Sequence, residues 1–334
     1  MSGRPVTLRM IANELGVDVS TVSRVLNASG DDAQRWASAK TVERIRVTAQ
    51  HRGYRPNPHA ASLRTARSSL VGVLVPRLAD FVLATIYEGI EEAAIENGIS
   101  TFVTNSLDDR AAQVDRTEMM LGRRVDGLIF GDAHCDDTFL DELRDRGVQF
   151  ALVNRRIPGH LSATTDDLHG GRLIGEHLIN SGRRRLGILA GLPFASTARE
   201  RTAGARGVFA EAGLEVPDDR VMWGGFDAAG GRRAAEKLLA RGPYPDAIFA
   251  ANDFAAIGAF GALRDHGLRV PDDVALIGYN DTPLAAELLV PLTTVRSPMH
   301  EMGRRGLELL VALMDGERPE SVLLKPELIV RASG

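Results

Sequence analysis

The chain has 334 residues, of which 44% are hydrophobic and 25% charged, as expected for a globular protein with two or three structural units. A single cysteine, Cys135, excludes an internal disulfide framework, and no apolar stretch approaches the roughly 18 residues of a membrane span. Residues 1–67 carry eleven Arg and Lys against five Asp and Glu, whereas the remainder carries 29 against 39. This asymmetry indicates a basic, nucleic-acid-binding head on an acidic body, with a solvated basic surface as the alternative.

The first predicted unit is a helix-turn-helix. Thr7 can cap a first helix, Gly16 can end it, and Asp18 can cap a second one. A third helix is predicted at about 39–52. The apolar stripe of the first helix consists of Leu8, Ile11, Ala12 and Leu15.

The second predicted helix, VSTVSRVLN, has two distinct faces. Its inward face carries Val22, Val25 and Leu26. Its outward face carries Val19, Ser20, Ser23 and Arg24, which offer small hydroxyls and one guanidinium to base edges or phosphates in a major groove. A three-helix bundle without a DNA role is the alternative, but the basic surplus of the same segment favours DNA binding.

From Leu70 onward, short apolar strands alternate with helices, which predicts parallel sheets covered on both faces. The predicted strands are 71–76, 100–105, 126–131, 148–154, 186–191, 247–253 and 274–280. The predicted helices are 84–97, 110–123, 138–146, 170–182, 201–212, 230–241 and 254–266. Two such series predict an α/β body of two doubly wound parallel-sheet lobes, which follows the all-α head in the sequence.

Polar residues follow many of these strands, where doubly wound proteins bind ligands. They are Arg77 with Asp80, Asn105, Asn154 with Arg155, Asn252 with Asp253, and Asn280 with Asp281. Amides, carboxylates and guanidinium groups that converge on a cleft suit a hydroxyl-rich small molecule. Each Asn or Asp can instead cap the helix that follows it.

Signatures of catalysis are missing from the sequence: it has no G-x-S-x-G elbow, no Walker A loop and no dinucleotide-binding G-x-G-x-x-G. The cluster HCDD at 134–137 is a poor metal site, because consecutive residues rarely face one ion and Asp137 precedes a predicted helix. We therefore expect no enzyme activity, no catalytic residues, no cofactor and no metal.

The head segments TLRMIANELGVDVSTVSRVLN, TVERI, HRGYRPN and ASLRT resemble, in order, the lactose-repressor family of bacterial transcription regulators. Here the connection after Asn27 is longer than usual in the family and carries Trp36, and Ala61 stands where the family tends to have Arg. The resemblance implies that Val19 and Ser20 read base edges and that Arg24 reaches a guanine or a phosphate. The implied DNA contacts are Thr7, Leu8, Val19, Ser20, Thr21, Ser23, Arg24, Asn27, Tyr54, Asn57, Ala60, Leu63 and Arg64.

The segment RPNPHAASLRT holds a helix of only about two turns, which is marginal in isolation. Asn57 is a favoured cap and Pro58 suits the first helical position. The resemblance implies that two such hinges fold together in the minor groove, where Leu63 wedges between base pairs.

The body segments STARERTAG, FAANDFAAIGA, VALIGYNDTPLA and PLTTV resemble the same family, whose bodies are like periplasmic sugar-binding proteins. Asn280 stands where the family often has aspartate, and Val82-Leu83 replaces a frequent aromatic pair. The effector contacts that the resemblance implies are Asp80, Phe81, Arg155, Thr197, Arg201, Phe226, Asn252 and Asn280. We expect Arg201→Ala to keep operator binding and lose the effector response.

The single cysteine and the lack of a secretory signal or membrane span predict a cytoplasmic protein. The resemblance implies a repressor, associated with the nucleoid when bound, that binds a palindromic double-stranded operator as a homodimer and is controlled by a small metabolite, sugar-like by default. The implied domains are a head at 1–55, a hinge at 56–67 and a body at 68–334. Within the body, one lobe comprises about 68–166 and 297–325, and the other about 167–296 and 326–334. The alternatives are a solute-binding protein, which the absent secretory signal opposes, and an α/β enzyme acting on a sugar or nucleoside, for which Asp253 and Asp281 are the available acids.

Overall fold

The computed structural model describes residues 6–28, 30–54, 67–136 and 138–334. The chain divides into two compact units, Met1–Ser68 and Ser69–Gly334. Most of the predicted hinge, including Asn57, Ala60, Leu63 and Arg64, lies outside the described residues, and so does the predicted helix cap Asp137.

The first unit is a three-helix head with the predicted helix caps. Its helices are α1 (Leu8–Leu15), α2 (Val19–Asn27) and α3 (Ala39–His51), with a 3₁₀ helix (Gly30–Arg35) between α2 and α3. The Thr7 hydroxyl accepts a hydrogen bond from the Met10 amide, and the Asp18 carboxylate accepts one from the Ser20 amide at 2.7 Å. Gly16 ends α1 in the left-handed conformation with φ 68°. The buried core of the head is formed by Ile11, Ala12, Val22, Val25, Ala33, Val42, Ile45 and Ala49.

The second unit alternates strands and helices. Its first half contains β1 (Leu70–Val75), α4 (Phe81–Glu96), β2 (Ser100–Asn105), α5 (Arg110–Gly122), β3 (Gly127–Phe130), α6 (Phe139–Asp145), β4 (Phe150–Val153), β5 (Ser162–Thr165) and α7 (Asp167–Asn180). Its second half contains β6 (Leu186–Gly191), α8 (Ser196–Glu211), β7 (Val221–Trp223), α9 (Ala228–Leu239), β8 (Ala247–Ala250), α10 (Asp253–Asp265), β9 (Ala275–Ile277), α11 (Pro283–Glu287), β10 (Thr294–Arg296), α12 (Met299–Met314), β11 (Val322–Leu324) and β12 (Glu327–Ile329).

These strands form two parallel sheets, one in each lobe. The first sheet has the order β11-β5-β4-β3-β1-β2, and the second has the order β7-β6-β8-β9. Every neighbouring pair within them is parallel, while β10 and β12 form a small antiparallel pair. The chain therefore leaves the first lobe after β5 and returns to it for α12 and β11. The predicted fold class, an all-α head with a body of two doubly wound lobes, is confirmed.

Three helix pairs of the body cross at glycines that allow close backbone approach. A Cβ atom on Gly303 of α12 would collide with the Ile86 carbonyl oxygen of α4, and one on Gly89 would collide with the His300 carbonyl oxygen. The pairs α7 with α8 and α9 with α10 cross in the same way, at Gly171 with Gly204 and at Gly231 with Gly258. These contacts leave no room for a methyl group, so each pair packs as one layer against its sheet.

Several elements of the body were not predicted. Strand β7 has three residues, too few for an alternating pattern to emerge. Helix α12 was also missed, although its buried residues Met299, Met302, Leu307 and Leu310 recur at helical spacing. Within the described ranges, every helix is too short or too polar to cross a membrane.

Candidate functional site

The outer face of α2 is the first candidate site. Val19 is 37% exposed, and Ser20 and Arg24 are exposed beside it, whereas Val22 and Val25 on the opposite face are fully buried. The Asp18 cap starts the helix immediately before Val19, so the first turn presents its side chains outward. This is the face that the sequence assigned to base reading.

Of the remaining predicted contacts of the head, Thr7 and Asn27 are exposed, whereas Leu8, Ser23 and Tyr54 are half-buried. The Asn27 side-chain amide donates to the Ser23 carbonyl oxygen at 2.7 Å, which ties the last turn of α2 together. Leu8 and Tyr54 pack against the head core, and burial raises the pKa of the Tyr54 hydroxyl. Thr21 is half-buried.

The second candidate site is a cleft of about 460 Å³ in the body, within the size range of small-molecule sites. It lies at the carboxyl ends of strands from both sheets. Seven of the eight predicted effector residues line it, namely Asp80, Arg155, Thr197, Arg201, Phe226, Asn252 and Asn280. Phe81 is not among the lining residues, since it begins α4 behind the Asp80 cap and is 38% exposed.

Arg201 lines the cleft, and its guanidinium is already hydrogen-bonded to other residues of the protein. Its Nε atom donates to the Asp167 carboxylate at 2.7 Å, and its Nη1 atom donates to the Ala251 carbonyl oxygen at 2.7 Å. The guanidinium carbon lies 3.7 Å from the centre of the Tyr279 ring. Arg201 and Asp167 are 4% and 2% exposed, so the pair is a structural element of the second lobe as well as part of the lining.

Arg155, from the opposite lobe, is held by two groups. Its guanidinium makes a bidentate interaction with Asp108, with distances of 2.6 and 3.3 Å. The Phe194 ring, from the other lobe, lies 5.6 Å from the guanidinium and stacks on His134 with 3.9 Å between ring centres. Among the described residues, no acceptor lies within reach of the buried Arg155 Nε. This donor is thus unused within the described part of the chain.

Two asparagines at strand ends differ in how many hydrogen bonds their side-chain amides already make within the protein. The Asn252 oxygen accepts from the Ala255 amide and its nitrogen donates to the Phe226 carbonyl oxygen, both at 2.8 Å. Asn280 has φ 102°, an unusual value for a residue with a side chain, and its buried Oδ1 has no partner among the described residues. Of the two asparagines, Asn280 is therefore the one whose amide oxygen stays unused among the described residues.

Carboxyl groups around the cleft have shifted pKa values. Burial raises the pKa of Asp80, against the lowering effect of the Val82 amide that it caps. Burial raises the pKa of Asp132 to about 6, although Ser106 and Gln113 lower it. Burial likewise raises the pKa of Asp253 to about 6, while its carboxylate accepts hydrogen bonds from Thr294 and Thr282.

The sequence did not single out several lining residues, among them Asp108, Phe194, Asp227 and Phe254. They lie in loops or in the first turns of helices. The other lining residues were found as polar residues directly after a strand, and this signal does not identify aromatic rings. In the part of the chain that the structure describes, no cluster of three or more His, Cys, Asp or Glu side chains could hold a metal ion. His134 of the HCDD segment packs on Phe194 instead.

Comparisons with known proteins identify relatives of both units. Residues 7–57 match the bacterial regulatory proteins of the lacI family, and residues 176–334 match a periplasmic binding protein-like domain. The chain is 34% identical to the HTH-type transcriptional regulator CelR of Thermobifida fusca, over 99% of both chains. It is 30% identical to the HTH-type transcriptional regulator DegA of Bacillus subtilis, over 98% of this chain and 97% of that one.

Solved structures show the same likeness over the full length. A complex of the transcriptional regulator CelR with cellobiose superimposes with a TM-score of 0.75 at 33% identity, over 99% of this chain and 100% of that one. The lac repressor dimer bound to operator and the anti-inducer ONPF superimposes with a TM-score of 0.88 at 29% identity, over 99% of both chains. The chain belongs to the lacI family of bacterial regulatory proteins.

Proposed function

We propose that this chain represses transcription by binding a palindromic DNA operator as a homodimer, and that a small sugar-like metabolite in the cleft of the body controls this binding. The observation that carries the proposal is the combination, on one chain, of a helix-turn-helix with an exposed polar face and a two-lobed unit with a lined cleft. Neither a periplasmic binding protein nor an enzyme needs the first of these features.

In this proposal α2 enters the major groove. Val19 and Ser20 contact base edges from its first turn, and Arg24 reaches a guanine or a phosphate. The helix is positioned on the DNA backbone by the other predicted contacts of the head, which are Thr7, Leu8, Thr21, Ser23, Asn27 and Tyr54. A homodimer presents two heads related by a two-fold axis, so the operator is palindromic.

The charges of the cleft favour a neutral ligand. The lining contains three arginines and three aspartates, so its formal charge is zero. Two of the arginines are already neutralised, Arg155 by Asp108 and Arg201 by Asp167. Free hydrogen-bonding capacity remains at Arg155 Nε and Asn280 Oδ1, and the Phe226 ring offers an apolar face. Hydroxyl groups and a sugar ring suit this combination better than a phosphate or a carboxylate.

Control follows from the position of the cleft between the lobes. A ligand that contacts both lobes shifts the equilibrium between two lobe arrangements only as far as its affinities for them differ. We propose that the predicted hinge at 56–67 transmits this shift from the body to the head. A coupling of about 1–3 kcal/mol is ordinary for such systems.

An enzyme acting on a sugar is the competing proposal, and the available acids oppose it. Asp253 accepts three hydrogen bonds from Thr282 and Thr294 and is fully buried. Asp281 makes ion pairs with Arg296 and Arg331. Because both carboxylates already make structural contacts, we propose that the protein is not an enzyme. We propose instead that it binds DNA in the cytoplasm.

A selection experiment tests the proposal. The full-length protein is incubated with a pool of random duplexes, and bound DNA is sequenced after several rounds. Binding to the enriched duplex is then measured with a panel of metabolites that includes cellobiose and nucleobases. We expect a palindrome whose binding one neutral polyol or sugar changes. Turnover of a sugar without enrichment of any duplex would support the enzyme instead.

A further inference from the structure

The exposed loop between α2 and α3 contacts the helix that we propose to read DNA. Trp36, at the end of this loop, is 47% exposed, an unusual position for the largest apolar side chain. The guanidinium carbon of Arg24 lies 4.3 Å from the centre of its ring. Toward the other described residues, Arg24 makes no hydrogen bond and no ion pair. Among the described residues, the Trp36 indole is therefore the group stacked on this arginine, and the Asp18 carboxylate is near enough to interact with it electrostatically.

The loop is built to hold the indole in place. It contains the 3₁₀ helix Gly30–Arg35, and Ala33 in that helix is fully buried in the head core. The Trp36 amide donates to the Ala33 carbonyl oxygen at 3.1 Å. Two residues later, the Ser38 hydroxyl accepts from the Thr41 amide and caps α3. Trp36 is thus fixed from both sides, by a core contact before it and a helix cap after it.

We propose that Trp36 is a positioning residue for Arg24, and that it makes the head more selective for the base that Arg24 contacts. This inference rests on the proposed DNA-binding function. Trp36 acts through Arg24 and is not itself a base-reading residue.

The physical reason is the flexibility of a free arginine. An exposed arginine samples many rotamers, and binding must restrict them at an entropic cost. A guanidinium above an indole face is attracted by the ring quadrupole, while its N–H donors at the edge stay available for a bidentate contact with guanine. Stacking therefore reduces the rotamers before DNA arrives and keeps the donors in place.

The test compares single and double variants on the duplex that the full-length protein enriches from a random pool. Trp36→Ala should weaken binding to this duplex about two- to five-fold and leave binding to a random duplex unchanged. Arg24→Ala should weaken it about ten-fold or more. Adding Trp36→Ala to Arg24→Ala should cause no further loss, because the indole then has nothing to position.

Base preference gives a second readout. On duplexes that carry single substitutions in each half-site, Trp36→Ala and Arg24→Ala should relax selectivity at the same base pair. Gln34→Ala, an exposed and uncharged neighbour in the same loop, serves as the matched control and should behave like the parent protein.

Ring chemistry separates positioning from loop stability. Trp36→Phe retains an aromatic face and should lose less than Trp36→Leu, which retains only bulk; thermal unfolding of each variant checks the fold. Three outcomes would overturn the inference. They are an equal loss of affinity for the selected duplex in Trp36→Phe and Trp36→Leu, an additive loss of affinity in the double variant, and an equal weakening of binding to random DNA. If the parent protein enriches no duplex, the DNA-binding function itself is wrong, whereas normal enrichment with an unaffected Trp36→Ala variant refutes only the role of Trp36.

Discussion

Arg201 and Asp167 form an ion pair of 2.7 Å in which both side chains are almost completely buried. The resemblance implied that Arg201 contacts the effector and that Arg201→Ala keeps operator binding while it loses the effector response. The structure changes that expectation, because Arg201→Ala leaves the carboxylate of Asp167 buried without its partner. Breaking a buried pair from one side typically costs about 3–5 kcal/mol.

Arg201→Ala is therefore expected to lower the free energy of unfolding of the body by about 3–5 kcal/mol as well as to abolish the effector response. Urea unfolding followed by circular dichroism measures the first effect, and operator binding with and without effector measures the second. The double variant Arg201→Met/Asp167→Leu removes both charges and should recover most of the stability without the response. A single variant as stable as the parent would contradict the structural role of the pair.

Asn280→Gly isolates the ligand contact from the fold. The substitution removes the unpartnered amide and relieves the backbone at φ 102°, so stability should stay within about 1 kcal/mol of the parent. Affinity for the effector found by the metabolite panel should fall about ten-fold, as measured by titration calorimetry. Unchanged affinity would remove Asn280 from the proposed site.

Gly303→Ala tests the close crossing of α4 and α12. The new methyl group would collide with the Ile86 carbonyl oxygen, a backbone atom that cannot rotate away. We expect a loss of about 1–3 kcal/mol of stability in thermal or urea unfolding. Gly122→Ala is the matched control, because no atom lies within 4 Å of its added Cβ. If both variants unfold alike, the crossing is looser than the structure shows.

Asp132 gives a prediction about pH. Its pKa is raised to about 6, so the folded chain keeps the proton at pH values where the unfolded chain, with an ordinary Asp, releases it. The resulting stabilisation is complete below about pH 4 and is lost as the pH rises through about 6. Relative to Asp132→Asn, the parent protein should therefore lose about 3 kcal/mol between pH 4 and pH 7. Parallel stability curves for the two proteins would show that Asp132 does not titrate in this way.

Leu63→Ala tests the hinge, which lies outside the described residues and remains a prediction from the sequence. If Leu63 wedges between base pairs at the operator centre, the variant should weaken binding to the selected duplex far more than binding to random DNA. Fluorescence anisotropy on both duplexes gives the comparison. Similar losses on both would exclude the wedge.

Local signals allowed much of the head to be predicted. The roles of Thr7, Gly16 and Asp18 as caps depend on the nearest few residues, and the structure confirms all three. In the body, hydrophobic periodicity located the middle of seven helices but missed α11 and α12, and it placed the start within one residue for α5, α6 and α10. Helices α4, α7 and α9 begin two or three residues before the predicted positions, directly after the caps Asp80, Asp166 and Asp227.

The cleft was predictable where its residues follow a strand and unpredictable elsewhere. Asn252 and Asn280 stand at strand ends, so sheet topology alone brings them to one edge. Phe194 and Asp108 reach the cleft through loops, and their positions depend on contacts with Arg155, a residue distant in the sequence, that no local pattern encodes. The sequence also did not indicate that Arg201 is neutralised by Asp167, because 34 residues separate the two.

The glycine crossings have a consequence for how this chain can acquire a different effector. Helix pairs that exclude a single methyl group tolerate few substitutions, so the two lobes offer little freedom for redesign. Part of the lining instead stands on strand-end loops outside these layers, at positions such as Asn154, Phe226 and Asn280, whereas Arg201 and Ala228 lie at the crossings themselves. At these loop positions ligand preference is separate from structural integrity, so a few loop substitutions can retarget the cleft while the scaffold, including Arg201, stays unchanged.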